Sequence, residues 1–168
     1  MHEEDDAPAI VQPLSLQDLP FLIHLDSLCF DHENAYSPEA MQHFLSREGS
    51  RGFKAIHRGI PIAFILWVRD HIITLDVHPK WRQRGLGTKL MSMALRYMAS
   101  SGFNRCVLEV DQVNEKALLL YRKQGFSVEA QFVENGKPRF RMICPNIDVR
   151  FSGIMPEGSE VLPPQGSS

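Results

Sequence analysis

The 168-residue chain lacks an excess of either charge: 18 Lys and Arg stand against 20 Asp and Glu, for a formal net charge of −2. That balance offers no broad cationic field of the kind sequence-independent nucleic-acid binding draws on, so no nucleic-acid partner is expected. A long apolar run is also missing. The longest, Ile60 to Val68, is strand-length and contains Pro61. A membrane-spanning helix needs ~20 apolar residues, so no membrane partner is expected. Cysteine is scarce and odd in number. Cys29, Cys106 and Cys144 stand far apart, which argues against a disulfide framework and suits a reducing, cytoplasmic compartment. The opening MHEEDDAP is acidic and lacks the basic-then-apolar plan of a secretory signal. Seven histidines occur without His-x-His or His-Glu-x-x-His spacing, so no metal site is expected. With 43% hydrophobic residues, the chain is long enough to bury the core of one domain.

The ends differ from the middle. Residues 1–8 are acidic and are expected to fray. Residues 145–168 hold four Pro, three Gly and four Ser, a composition that buries little, and are expected to form a mobile tail. Its apolar islands, Ile154, Met155, Val161 and Leu162, could dock on a partner. Between the ends, over 9–144, helix and strand signals alternate. Ile10 to Gln12 reads as a strand. Ser15, with Asp18 three residues on, opens a helix, and Ser37-Pro38-Glu39 opens a second. Phe53–His57, Ile62–Val68 and Ile72–Val77 read as an antiparallel meander. Leu86, Leu90, Met93, Ala94 and Met98 recur at helical spacing. Cys106–Val110 is a strand, Asn114–Gln124 a helix, and Phe126–Val133 with Arg139–Ile143 a hairpin around Asn135-Gly136. The order βααβββαβαββ predicts an α/β domain.

The informative stretch is Val77-His78-Pro79-Lys80-Trp81-Arg82-Gln83-Arg84-Gly85-Leu86-Gly87-Thr88-Lys89. A strand ends, a proline breaks it, and a glycine loop feeds a helix. The first N–H groups of a helix have no internal partner and lie at its positive end, and glycine lets an anion approach them. From Val77 through Leu108 there are six Lys or Arg and no Asp or Glu, so positive charge collects around this loop. A Walker A loop is absent, and Leu90 stands where a dinucleotide fingerprint carries its third glycine.

Further on, Glu109 interrupts the apolar run Val107, Leu108 and Val110, and Asn114, Ala117 and Tyr121 share one helix flank. A carboxylate and a phenol brought to one site can take up one proton and supply another. Glu109 could instead pair with Arg105 or Lys116 at a strand end, Tyr121 could be a core aromatic, and Asn114 could cap its helix and also bind.

Together, Arg82-x-x-Gly85-x-Gly87 after Val-x-Pro and Asn114-x-x-Ala117-x-x-x-Tyr121-x-x-x-Gly125-Phe126 resemble the GNAT family of N-acetyltransferases, closest in motif to its RimI-type branch. The resemblance implies a GNAT fold over residues 10 to 144, with a mixed, mostly antiparallel twisted sheet flanked by about four helices. It implies acetyl-CoA as co-substrate, its pyrophosphate on Gln83, Arg84, Gly85, Leu86, Gly87 and Thr88, its thioester arm along Leu75, Asp76 and Val77, and Asn114 on the pantetheine. Glu109 is then the general base and Tyr121 the general acid in direct transfer to a primary amine, with a backbone N–H near Val77 facing the acyl oxygen and no cysteine taking part. The branch implies a protein N-terminal α-amine as acceptor. Two departures stand against that: Tyr36-Ser37 replaces a Trp-Ser, and the turn Phe132-Val133-Glu134-Asn135-Gly136 is short and lacks paired tyrosines. A small-molecule amine or a lysine therefore stays open, as does a non-catalytic acyl-CoA-binding module, against which the pairing of Glu109 with Tyr121 argues. Monomer and homodimer are both open.

Overall fold

The computed structural model describes residues 7–31 and 33–152. Residues 1–6, most of the acidic N-terminal segment, lie outside the described residues. So do residues 153–168, which include the islands Ile154, Met155, Val161 and Leu162.

Seven strands form one sheet: β1 (Ile10–Pro13), β2 (Ser50–His57), β3 (Ile60–Val68), β4 (His71–Val77), β5 (Arg105–Asp111), β6 (Ser127–Glu134) and β7 (Lys137–Pro145). Among the described residues five α-helices flank it: α1 (Leu19–Cys29), α2 (Pro38–Ser46), α3 (Leu86–Ser100), α4 (Glu115–Lys123) and α5 (Ile147–Arg150). The strand order is β1-β2-β3-β4-β5-β7-β6. Every neighbouring pair is antiparallel except β4 with β5, which is parallel.

β3 lies mid-sheet and explains the long apolar run. Ala63, Ile65 and Trp67 pack toward α3, while Phe64 and Leu66 pack toward α1 and α2. A strand covered on both faces reads as continuous hydrophobicity rather than alternation. Leu90, Met91, Ala94, Leu95 and Met98 of α3 fill one core, and Leu22, Leu25, Met41 and Leu45 of α1 and α2 fill the other. Ser37 caps α2 by accepting the Ala40 N–H at 3.1 Å, with Pro38 at the first helical position. In the last hairpin Asn135 and Gly136 both take positive φ, 53° and 77°, the backbone a two-residue hairpin turn requires.

Two expectations change. The helix opened by Ser15 begins as a 3-10 turn, Leu16–Asp18, and becomes α-helical at Leu19. The chain past 144 continues the fold: β7 runs to Pro145, Asn146 reverses it at φ 58°, and α5 follows. Ile147 is 0% exposed in the α3 core, and Arg150 donates to the Gln124 carbonyl at the end of α4. The tail composition misled because its Pro, Gly and Ser concentrate beyond residue 152, while one buried isoleucine and one arginine suffice to anchor a single turn.

Candidate active site

The break in the sheet positions everything else. β4 and β5 run parallel, yet they share one register pair, His71 with Val107. Val107 N–H donates to the Asp70 carbonyl at 2.9 Å beside it. From there the strands diverge toward their C-terminal ends, and β4 turns an unpaired edge to the opening. His78 N–H donates to the Ile62 carbonyl at 2.8 Å. In an antiparallel pair the groups facing a neighbour alternate, so Asp76 also faces β3, while the backbone groups of Leu75 and Val77 face the gap. The Val77 carbonyl is already taken, by Arg82 Nε at 3.1 Å and the Cys29 thiol at 3.3 Å.

One wall of the gap is the glycine loop. Pro79–Trp81 forms a 3-10 turn, capped by His78 Nδ1 accepting the Lys80 N–H at 3.1 Å. The Trp81 ring packs against His57 at 4.4 Å and under the Arg84 guanidinium at 4.4 Å, so it buttresses the loop. Gln83 and Gly85 take left-handed φ values of 65° and 81°, a reversal that turns backbone N–H groups into a concavity. The first internal bond of α3 runs from Lys89 N–H to the Gly85 carbonyl. Leu86, Gly87 and Thr88 therefore present N–H groups with no carbonyl of their own helix to meet. A side chain on Gly87 would come within 3.1 Å of Leu120 on α4, with Leu75 and Val77 of β4 at 3.8 Å. The glycine is where α3, α4 and β4 converge. Donors so placed, at the positive end of α3, suit an anionic group such as a pyrophosphate.

The other wall is α4. Asn114 caps it, its Oδ1 accepting the Ala117 N–H at 3.2 Å. Tyr121 packs in the α3-side core with its ring 5.9 Å from Phe126. Burial pushes its hydroxyl well above the ordinary tyrosine range, and the Asp76, Cys106 and Tyr36 groups push it the same way. It keeps its proton and can give it to a stronger base. Gln124 Nε2 reaches the Thr88 carbonyl at 3.3 Å, tying the end of α4 to the start of α3.

Glu109 lies across the sheet, on the face toward α1 and α2. Its neighbours Leu108 and Val110 point into the α3 core, and alternation sends Glu109 the other way. It bonds neither Arg105, which pairs with Asp70 at 3.4 Å, nor Lys116. Glu109 Oε2 is 2.5 Å from His71 Nε2. Burial opposes its ionisation, but the His71 hydrogen bond and charge, with Arg141 and Arg139, outweigh burial and hold the carboxyl below its ordinary value. Arg141 is its register partner on β7, and Arg139 is that of Asp111. Tyr36 closes this face from the α1–α2 connection, its hydroxyl donating to the Ile73 carbonyl at 3.2 Å. Burial pushes the phenol up to about 12, Arg139 pulls it down, and Asp26 and Glu109 raise it further. Across the mouth, Lys137 Nζ of the last hairpin reaches Asn34 Oδ1 at 2.9 Å and Glu33 at 3.5 Å.

Asp76 stands apart from the other expected cofactor residues. Its carboxyl is 1% exposed and points to the α1 side, accepting from Thr74 Oγ1 at 2.5 Å. Burial and a shared hydrogen bond with Asp26 raise it well above the ordinary carboxyl range. Asp26 in turn accepts the Tyr36 N–H at 2.7 Å. Neither its carboxyl nor its backbone groups, which face β3, meet the gap, so Asp76 is not placed with the other expected cofactor residues. Cys29 is no nucleophile near neutrality, since burial and Asp76 push its thiol up to about 11. The sequence pattern does not mark His71, Tyr36, Arg139 or Arg141 as site residues. Alternation identifies Glu109 and Arg141 as face residues, but it does not pair either with His71. Among the described residues no three His, Cys, Asp or Glu side chains group to hold a metal.

The α/β sheet thus parts beside a helix N-terminus, with backbone donors on one side and a carboxylate paired with histidine on the other. The chain belongs to the acetyltransferase (GNAT) family, whose model matches residues 19–126. A mycothiol acetyltransferase of Corynebacterium efficiens is 33% identical over 73 residues, 40% of this chain and 25% of that protein. An N-alpha-acetyltransferase 30 of Xenopus laevis is 32% identical over 83 residues, 49% of this chain and 30% of that protein. The match thus spans about a quarter to a third of the length of these two relatives. The crystal structure of the ribosomal-protein-S18-alanine N-acetyltransferase from Escherichia coli superposes with a TM-score of 0.73 at 21% identity, covering 89% of this chain and 97% of that one. The expected fold and element order are those observed, with α5 as a fifth helix.

Proposed function

We propose that the chain is an N-acetyltransferase that moves acetyl from acetyl-CoA to a primary amine by direct attack. The observation that carries this reading is the opening of the sheet at Val77, flanked by the left-handed Gln83 and Gly85 and by Tyr121, with Glu109 on the opposite face. Acetyl-CoA supplies the activated acyl carbon. The N–H groups of Gln83, Arg84, Gly85, Leu86, Gly87 and Thr88 hold its pyrophosphate, and Asn114 meets the pantetheine arm. Leu75 and Val77 line that arm, and the Val77 N–H faces the acyl oxygen, where negative charge builds. Glu109, held ionised, takes the amine proton. Tyr121, held protonated, gives its own to the departing thiolate. No step needs a cysteine. The three cysteines are free and support a cytoplasmic setting. Among the described residues no helix is long and apolar enough to cross a membrane.

For the acceptor, likeness to N-alpha-acetyltransferase 30 and to the S18-alanine enzyme supports a protein N-terminal α-amine. A second reading, a compact small-molecule amine, is favoured by the Lys137–Asn34 bridge across the mouth. Thiol release from acetyl-CoA against N-terminal peptides, polyamines, free amino acids and lysine peptides tests both. Turnover with peptides selects the first, turnover with small amines alone selects the second, and failure to release thiol with any of these amines contradicts the reading.

A further inference from the structure

The partner of Glu109 is an imidazole set at the closed end of the split. His71 is the first residue of β4 and sits at the one position where β4 and β5 pair. The bond from His71 Nε2 to Glu109 Oε2 therefore spans the hinge from which the two strands diverge. Exposure rises along that bond: the Glu109 side chain is 26% exposed and His71 38%. The carboxylate faces the acceptor side and the imidazole faces outward. We propose that His71 is the proton outlet of the acceptor site, receiving along this bond the proton that Glu109 takes from the amine and releasing one to water. The inference rests on the acetyl-transfer reading above.

The need for an outlet follows from the charges facing Glu109. Arg141 and Arg139 approach from β7, Asp111 lies two residues on in β5, and Tyr36 covers the pair from the α1–α2 connection. Asp70, in the turn before His71, is engaged with Arg105. A carboxylate stabilised by a histidine and two arginines is a weak base toward an alkylammonium ion. Imidazole is the side chain whose ordinary titration falls near neutral pH. Once Glu109 is protonated, the Nδ1–H tautomer of the imidazole accepts that proton on Nε2 and sheds its Nδ1 proton to water, and proton exchange with water at the exposed ring restores the same tautomer for the next turnover. The proton count closes. Two protons leave the ammonium nitrogen per turnover. One balances the proton that Tyr121 gives to sulfur, and the other is released, which is the proton His71 carries. A histidine that only held Glu109 in place would be replaceable by any hydrogen-bonding side chain.

That difference sets the test, with His71→Ala and His71→Gln compared with the wild-type chain. In the unliganded protein, carboxyl-carbon NMR follows Glu109 through pH. Its midpoint should rise in His71→Ala, because the hydrogen bond and charge that lower it are gone. In thiol-release assays, His71→Ala should lose about 10- to 100-fold in kcat, with KM for both substrates within about threefold, and added imidazole should restore several-fold. His71→Gln, which can hydrogen-bond but not titrate, should stay as slow as His71→Ala. Wild-type kcat and pH profile in His71→Gln, or an unmoved Glu109 midpoint in His71→Ala, overturns the outlet alone. Failure of the wild-type chain to release thiol with any amine overturns the transfer reading and the outlet with it.

Discussion

The two sides of the split sheet are built from different materials. On the α3–α4 side the groups that would meet a cofactor are main-chain donors: the N–H groups of Leu86, Gly87 and Thr88, and the edge of β4 at Leu75 and Val77. Two left-handed residues and one glycine at a three-way contact set their positions. On the α1–α2 side the chemistry is carried by side chains: Glu109 bonded to His71, with Arg139 paired to Asp111, Arg141 paired to Glu129, and Tyr36 bonded to the Ile73 carbonyl. Backbone donors fixed by the fold suit a ligand that is always the same. Side chains that change one at a time suit an acceptor that differs between relatives, and the similar family members carry different acceptors in their names.

If that division holds, lesions on the two sides should separate into chemistry and architecture. On the cofactor side the largest effect is expected at the junction. Tyr121→Phe keeps the ring that packs on Phe126 but removes the proton, and kcat should fall about 100-fold with acetyl-CoA affinity retained by calorimetry. A fall in affinity of the same size would make Tyr121 a binding residue instead. Next, the cofactor side leans on α5. Ile147→Ala should cost about 2–5 kcal/mol, a drop in Tm of about 5–15 °C in a thermal melt, while acetyl-CoA should restore part of it by binding the folded state. Gly87→Val should cost about 1–3 kcal/mol by overpacking against Leu120 and weaken acetyl-CoA binding, leaving the Glu109 carboxyl titration unchanged.

The smallest effect is a pH dependence on the acceptor side. Asp76 binds its proton more tightly folded than unfolded, because burial and the hydrogen bond with Asp26 favour the neutral form. Its contribution is fully present below the ordinary carboxyl range and is lost as pH rises through the raised folded value. Asp76→Asn mimics the neutral form at every pH. The variant should melt higher than wild type at pH 8, and the advantage should shrink as pH falls toward 4. An advantage independent of pH would mean that Asp76 is already ionised in the fold.

The same division explains which parts of the molecule are legible in its sequence. The cofactor side is legible because its parts are contiguous: Arg82 to Thr88 follow the end of one strand, and Asn114 to Phe126 follow the next. The element order is equally legible, since Ser37-Pro38, Asn135-Gly136 and the Leu86–Met98 spacing each reflect a local backbone demand. The acceptor side is not contiguous. Tyr36, His71, Glu109 and Arg139 come from four segments, and only the parting of β4 from β5 sets His71 against Glu109. A weaker signal lies in Asp26 and Asp76. Each takes a place in a buried pattern, after Leu22 and Leu25 on one helix and after Thr74 on one strand. An acid in such a place needs a proton or a partner. The anchoring of α5 is hidden when its four residues are averaged with the composition of the segment that follows.

The central claim is that cofactor binding and amine activation lie on opposite sides of the split and can be separated. Its most direct test is Glu109→Gln, measured for acetyl-CoA binding by calorimetry and for thiol release with the best amine of the panel. Affinity within about twofold of wild type, with kcat down about 100- to 1,000-fold, is the predicted result. Undiminished thiol release near neutral pH, or loss of acetyl-CoA binding in step with turnover, would contradict it.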